Sequence, residues 1–142
     1  MPSPNIDTAA GAAAASLDAH PMLAPLRHWP DDWADDSPPL HALATSITGV
    51  CEAFLRDQIQ AGRSRSTLRR HRDALHTLGY EILRRQAIAS DDPVPTDARS
   101  HLESLMLDQG GPLLSTPGST ESEQRQFDAT CRALARWMAR HA

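Results

Sequence analysis

The sequence contains no lysine: all 14 of its basic side chains are arginine. We read this as the mark of a GC-rich genome before any selection for the bidentate phosphate contacts that arginine makes. Aromatic residues are scarce, at 4% of the 142-residue chain with a single tyrosine, and β-branched residues are sparse. Ala, Leu and Arg take their place, a composition that favours helix over sheet. No apolar run approaches the ~20 residues needed to cross a bilayer. The Ala-rich run from Ala9 to Ala15 has no basic region ahead of it and makes a poor signal peptide. A soluble, cytoplasmic chain with no membrane partner is expected. Cys51 and Cys131 each sit in an apolar helical pattern, so two buried thiols are the ordinary reading, with a disulfide left open.

Catalytic chemistry is equally thin. There is no Cys-x-x-Cys, no glycine-rich phosphate loop after a strand, and no paired-carboxylate site. His71 and His76 fall on different faces of one helix, which argues against a shared metal ion. His71 reads as a satisfied core histidine, and His76 and His101 as solvated. The expectation is a chain that is not an enzyme and takes no cofactor, metal ion or small-molecule substrate.

Charge is unevenly distributed within the net −4. Residues 1–50 carry six acids against one arginine, residues 51–88 eight arginines against four acids, and residues 89–142 eight acids against five arginines. The basic patch is therefore central. A solvated helix face is its bland explanation.

Residues 1–37 form the first region. Met1 to Asp18 offers little to bury and is expected to be disordered. From His20 to Pro39, prolines preclude a long helix. Trp29 and Trp33 stand there among aspartates and read either as a pair folded back onto the domain or as candidates for docking a partner protein. Residues 38–142 form the second, helical region. A first helix starts near Pro38, with Ser37 or Asp36 as its cap, and runs to about Ala61 with Leu40, Leu43, Ile47, Val50, Cys51, Phe54 and Leu55 on its apolar face. Gly49 costs ~1 kcal/mol against alanine there, and would mark a close helix crossing. A third helix, capped by Thr96 or Asp97, carries Ala98, Leu102, Leu105 and Met106 inward and ends near Asp108. After a loop through Pro117 and Gly118, Thr120 and Glu123 make a capping box for the last helix. Its stripe is Phe127, Cys131, Leu134, Ala135 and Met138, with Trp137 at the edge. Arg125, Asp128, Arg132, Arg136 and Arg140 are placed on its wet side.

The rest is organised around Gly62 to Arg85. Gly62 can close the first helix in the left-handed conformation, and Ser64 and Ser66 can cap the second, expected over about Ser66 to Gln86. Leu68, Leu75, Leu78 and Ile82 draw one apolar stripe along it. Around its start lie Arg63, Arg65, Arg69, Arg70 and Arg72, with Ser64, Ser66 and Thr67 to donate hydroxyls and His76 further along. Arginines at a capped helix start form a candidate phosphate-binding set.

The order of residues here resembles the first helical hairpin of the N-terminal core-binding (SAM-like) domain of tyrosine recombinases and phage integrases. Phe54-Leu55, Gly62, Ser64, Thr67-Leu68, His71, Leu75 and Leu78 stand where that pattern expects them. The likeness continues more loosely over roughly residues 40–141. It implies an all-α fold of four helices in two hairpins, the second and fourth facing duplex DNA. At the second hairpin Gly118-Ser-Thr-Glu-Ser-Glu departs from the pattern, and Glu121 and Glu123 would repel phosphate. Arg136 and Arg140 are accordingly expected to matter little. The recombinase nucleophile and lysine have no counterpart, since Tyr80 lies inside a helix and lysine is absent. The expected function is a non-catalytic DNA-binding module, acting alone or beside a full-length tyrosine recombinase of a mobile element. The alternatives are a protein-interaction module and a decayed integrase fragment.

Overall fold

The computed structural model describes residues 20–34, 37–89, 91–106, 110–114 and 119–141. The expectations for residues 1–18, for Pro117–Gly118 and for a helix reaching Asp108 fall wholly or partly outside them. Regular structure among the described residues is helical. A 3-10 turn, Ala24–His28, leads into a one-turn helix α1 (Trp29–Trp33), then α2 (Pro38–Gln60), α3 (Arg65–Ile88), α4 (Ala98–Leu105) and α5 (Glu121–Arg140). No helix among the described residues is long and apolar enough to cross a membrane.

The α2–α3 hairpin follows from local chemistry. Pro38 occupies the first turn of α2, where its missing N–H has no helical partner to lose. Ser37 stands at the N-cap position but makes no side-chain cap bond. At the other end Gly62 takes φ 78. The Gly62 N–H donates to the Ile59 carbonyl at 3.0 Å and the Arg63 N–H to the Gln58 carbonyl at 3.2 Å. These two bonds are the Schellman closure, which satisfies carbonyls the helix leaves open. Two residues on, Ser64 Oγ accepts from the Thr67 N–H at 3.2 Å and starts α3. Leu68, Leu75, Leu78 and Ile82 are all buried, as their spacing predicts.

Gly49, expected at a close crossing, is exposed with open space where a side chain would go. The helical glycine that does meet a neighbour is Gly79 of α3. Its face is covered by the Trp33 indole, which an added Cβ would overlap. Trp29 and Trp33, one helical turn apart, belong to the hydrophobic core together with Leu23 and Leu26. The core therefore does not begin at Pro38, and a boundary between residues 37 and 38 does not divide it. Aspartate and proline suit the surface of this short strap, while its indoles fill the space between α2 and α3.

In the second helix pair, α4 rests mainly on α2, and α5 mainly on α3. The described part of the connecting loop is anchored on α5. Gly111 lies against Phe127 and Cys131, and its N–H donates to Asp128 Oδ1 at 3.1 Å. Gln124 accepts from the Leu114 N–H at 2.8 Å, and its amide donates to the Pro112 carbonyl at 3.2 Å. Asp128 is thus a half-buried loop anchor and not a solvated residue. Arg99 reaches from α4 to α5, its guanidinium 5.9 Å from the Trp137 ring centre. Trp137 is buried, its indole N–H donating to Asp57 Oδ2 at 2.6 Å.

Candidate nucleic-acid interface

The α3–α5 packing is antiparallel and leaves a cleft along its length. At one end Arg63, Thr67 and His71 face Ala129, Arg136 and Arg140 across a cavity of about 410 Å³. A middle section of about 350 Å³ is walled by Thr67, Arg70 and His71 on one side and by Ser122, Arg125 and Ala129 on the other. The far section, about 360 Å³, adds Asp73 and Glu123 to Arg70. The cleft is cationic over its first two sections and mixed in its third.

The arginines that line it are available. Arg63, Arg70, Arg125, Arg136 and Arg140 make no ion pair among the described residues, unlike Arg56, Arg72, Arg84, Arg85 and Arg99. Arg63 Nε donates only to Gln58 Oε1 at 3.3 Å, and Arg70 Nη2 only approaches Thr67 Oγ1 at 3.5 Å. Two helix termini lie together here, the start of α3 beside the end of α5. Arginines at the α5 end are favoured by its partial negative charge.

The nine positions picked out from sequence do not form one patch. Arg63, Thr67 and Arg70 line the cleft. Arg65, Ser66 and Arg69 are exposed beside it. Ser64 is committed as the helix cap, with Thr67 Oγ1 at 2.9 Å and Ser66 Oγ at 3.2 Å from its hydroxyl. Arg72 and His76 face the N-terminal strap. Arg72 Nη2 lies 3.4 Å from Asp73 Oδ1, with Nη1 3.5 Å from Met22 Sδ. His76 lies 3.4 Å from Asp32 Oδ2, its ring centre 5.3 Å from that of Trp29 and 5.7 Å from that of Trp33. His76 is therefore partnered and packed on one side while its side chain stays partly exposed to solvent. The cause is helical phase: Thr67 and His76 are about two and a half turns apart, on opposite faces. Trp29 and Trp33, offered as docking candidates, are both buried.

Arg125, Arg136 and Arg140 are the residues that sequence reasoning left out. Arginine recurs every fourth residue from Arg132 to Arg140, which marks a cationic face, but only the antiparallel packing turns that face towards Arg63. His71 is the other addition. It is half-buried, its Nδ1 lies 2.8 Å from Thr130 Oγ1, and its ring meets Phe54 edge-on at 5.4 Å. Burial, and then the charges of Arg70 and Arg63, hold its pKa below the usual imidazole value. Cys51 and Cys131 are buried free thiols, both pushed up to about 12, by burial first. No group of three or more His, Cys, Asp or Glu able to hold a metal ion occurs among the described residues.

No family model, no curated protein and no solved structure matches the chain.

Proposed function

We propose that this chain is a non-catalytic module that binds duplex DNA, similar in role to the core-binding domain of a tyrosine recombinase, and that it serves such a recombinase as an accessory factor. The observation that carries the reading is the convergence of Arg63, Arg70, Arg125, Arg136 and Arg140, none paired with a described carboxylate, on one antiparallel helix pair. Arginines outside any described ion pair lose none when they meet phosphate, and each displaces counterions from the duplex. Arg65 and Arg69, exposed on the neighbouring surface of α3, extend the basic strip. Asp73 and Glu123 end it, so the strip meets DNA from the Arg140 end to about Arg125.

The overall charge of −4 does not oppose this, because contact is decided within a screening length of ~10 Å and not by the sum over the chain. Fluorescence anisotropy with a labelled duplex at increasing salt tests the proposal. The expected log–log slope is about −4, for four or five phosphates neutralised. If the chain ignores duplex DNA at low salt, the DNA reading fails and a protein-interaction module takes its place.

A further inference from the structure

Beneath the exposed start of α3, the basic strip reaches a half-buried histidine. His71 borders both cationic sections of the cleft. The charged groups facing it are Arg63 and Arg70 from one side and Arg125, Arg136 and Arg140 of α5 from the other. From α2 the Phe54 ring meets it edge-on, and uncharged Gln58 lines the same section of the cleft. No carboxylate lines either section. Asp57, the acid next to Gln58, is held by Trp137 Nε1 at 2.6 Å and faces His141 Nε2 at 3.2 Å.

We propose that the space between Arg63, Arg136 and Arg140, over the His71–Thr130 pair, is a site for one phosphate group, and that filling it is coupled to protonation of His71. As a place for a backbone phosphate of DNA the site rests on the reading above; as an oxyanion site it stands on its own geometry. Guanidinium groups from opposite walls, with the Thr67 hydroxyl between them, can offer donors to several oxygens at once, which suits a phosphate better than a planar carboxylate.

The coupling follows from the same arrangement. With the cleft empty, partial burial and then the charges of Arg70 and Arg63 disfavour a charged imidazole. An oxyanion among those cations offsets part of their repulsion and so favours the charged form. Protonation breaks nothing: the Nδ1–H can donate to Thr130 Oγ1, because a hydroxyl accepts as readily as it donates. The Nε2–H then becomes one more donor.

The test follows the imidazole C–H signal of His71 by NMR in the full chain, assigned with His71→Gln, while the pH is varied. Sodium sulfate, a dianion throughout that range, serves as the free oxyanion, and a short duplex serves as the DNA arm. Both are expected to raise the pH at which His71 protonates. Duplex affinity should rise as pH falls through the His71 titration, towards a limit of roughly three- to tenfold for a pKa rise of half to one unit. His71→Gln should flatten that dependence relative to the parent chain. Arg136→Gln with Arg140→Gln, both exposed and so safe for folding, should abolish the sulfate effect on His71. If sulfate moves the His71 titration but the duplex does not bind, the oxyanion site holds and its natural ligand is a free phosphate compound. If the duplex binds while neither probe moves His71, the proposal is overturned and the DNA reading survives without it.

Discussion

Alanine in place of two glycines, Gly49 and Gly79, should change stability in opposite directions. Both lie inside long helices, so each substitution removes the ~1 kcal/mol that glycine costs a helix interior. At Gly49 nothing lies within 4 Å of the new Cβ, and the gain should appear in full, at about 1 kcal/mol. At Gly79 the Cβ would overlap the six-membered ring of Trp33. That ring cannot step aside freely, because Trp29 and His76 hold it at centre distances of 5.3 and 5.7 Å. Overpacking of a set core costs ~1–3 kcal/mol, and a rigid indole puts this case at the upper end. The net effect of Gly79→Ala is then a loss of about 1–2 kcal/mol, measured by urea unfolding at 25 °C. In a Trp33→Ala background the clash is gone, and Gly79→Ala should become neutral or stabilising. That change of sign is the coupling between strap and helix. Should Gly79→Ala stabilise the parent chain as much as Gly49→Ala does, Trp33 does not sit on α3 in solution. The indole pair would then be free to dock a partner.

Truncating Leu75, fully buried on α3, to alanine should cost ~2–5 kcal/mol in the same assay, and a loss below about half a kilocalorie would place the wrong face of α3 inward. The neutral His71 of the fold gives stability a defined pH dependence: the unfolded chain binds the proton more readily, so stability should fall as pH drops from about 6.5 through the lowered folded value. His101, lowered by burial, adds to the fall, and His71→Gln should shrink it in denaturant melts at stepped pH. Replacing Arg136 and Arg140 by glutamine should reduce the salt slope of DNA binding by about two, whereas Arg72→Gln, on the strap side, should leave the slope unchanged. Cys51 and Cys131, both buried, should resist thiol reagents in the native state and react only at the rate of unfolding.

The three long helices were legible because their signals are local. A left-handed glycine at Gly62, a serine cap at Ser64 and leucines at helical spacing need no knowledge of the rest of the chain. The strap was harder to read, because proline and aspartate describe its surface, while the fate of Trp29 and Trp33 depends on a bare patch at Gly79 far along the sequence. The two glycines show the same limit: either could have marked a crossing, and only the position of the indole decides between them. The basic site was legible as a cluster but not as a surface. Arginines adjacent in sequence are spread around α3 by its ~100° per residue, which sends Arg70 to the cleft and Arg72 to the strap. Arg136 and Arg140 reach Arg63 only because α5 runs back along α3. That antiparallel course also relocates the objection raised by Glu121 and Glu123. Acids at the start of the last helix would repel DNA from α5 if the helix met the duplex by its first turn. Here the first turn lies beside Asp73, at the mixed end of the cleft, so the repulsion bounds the basic strip without covering it.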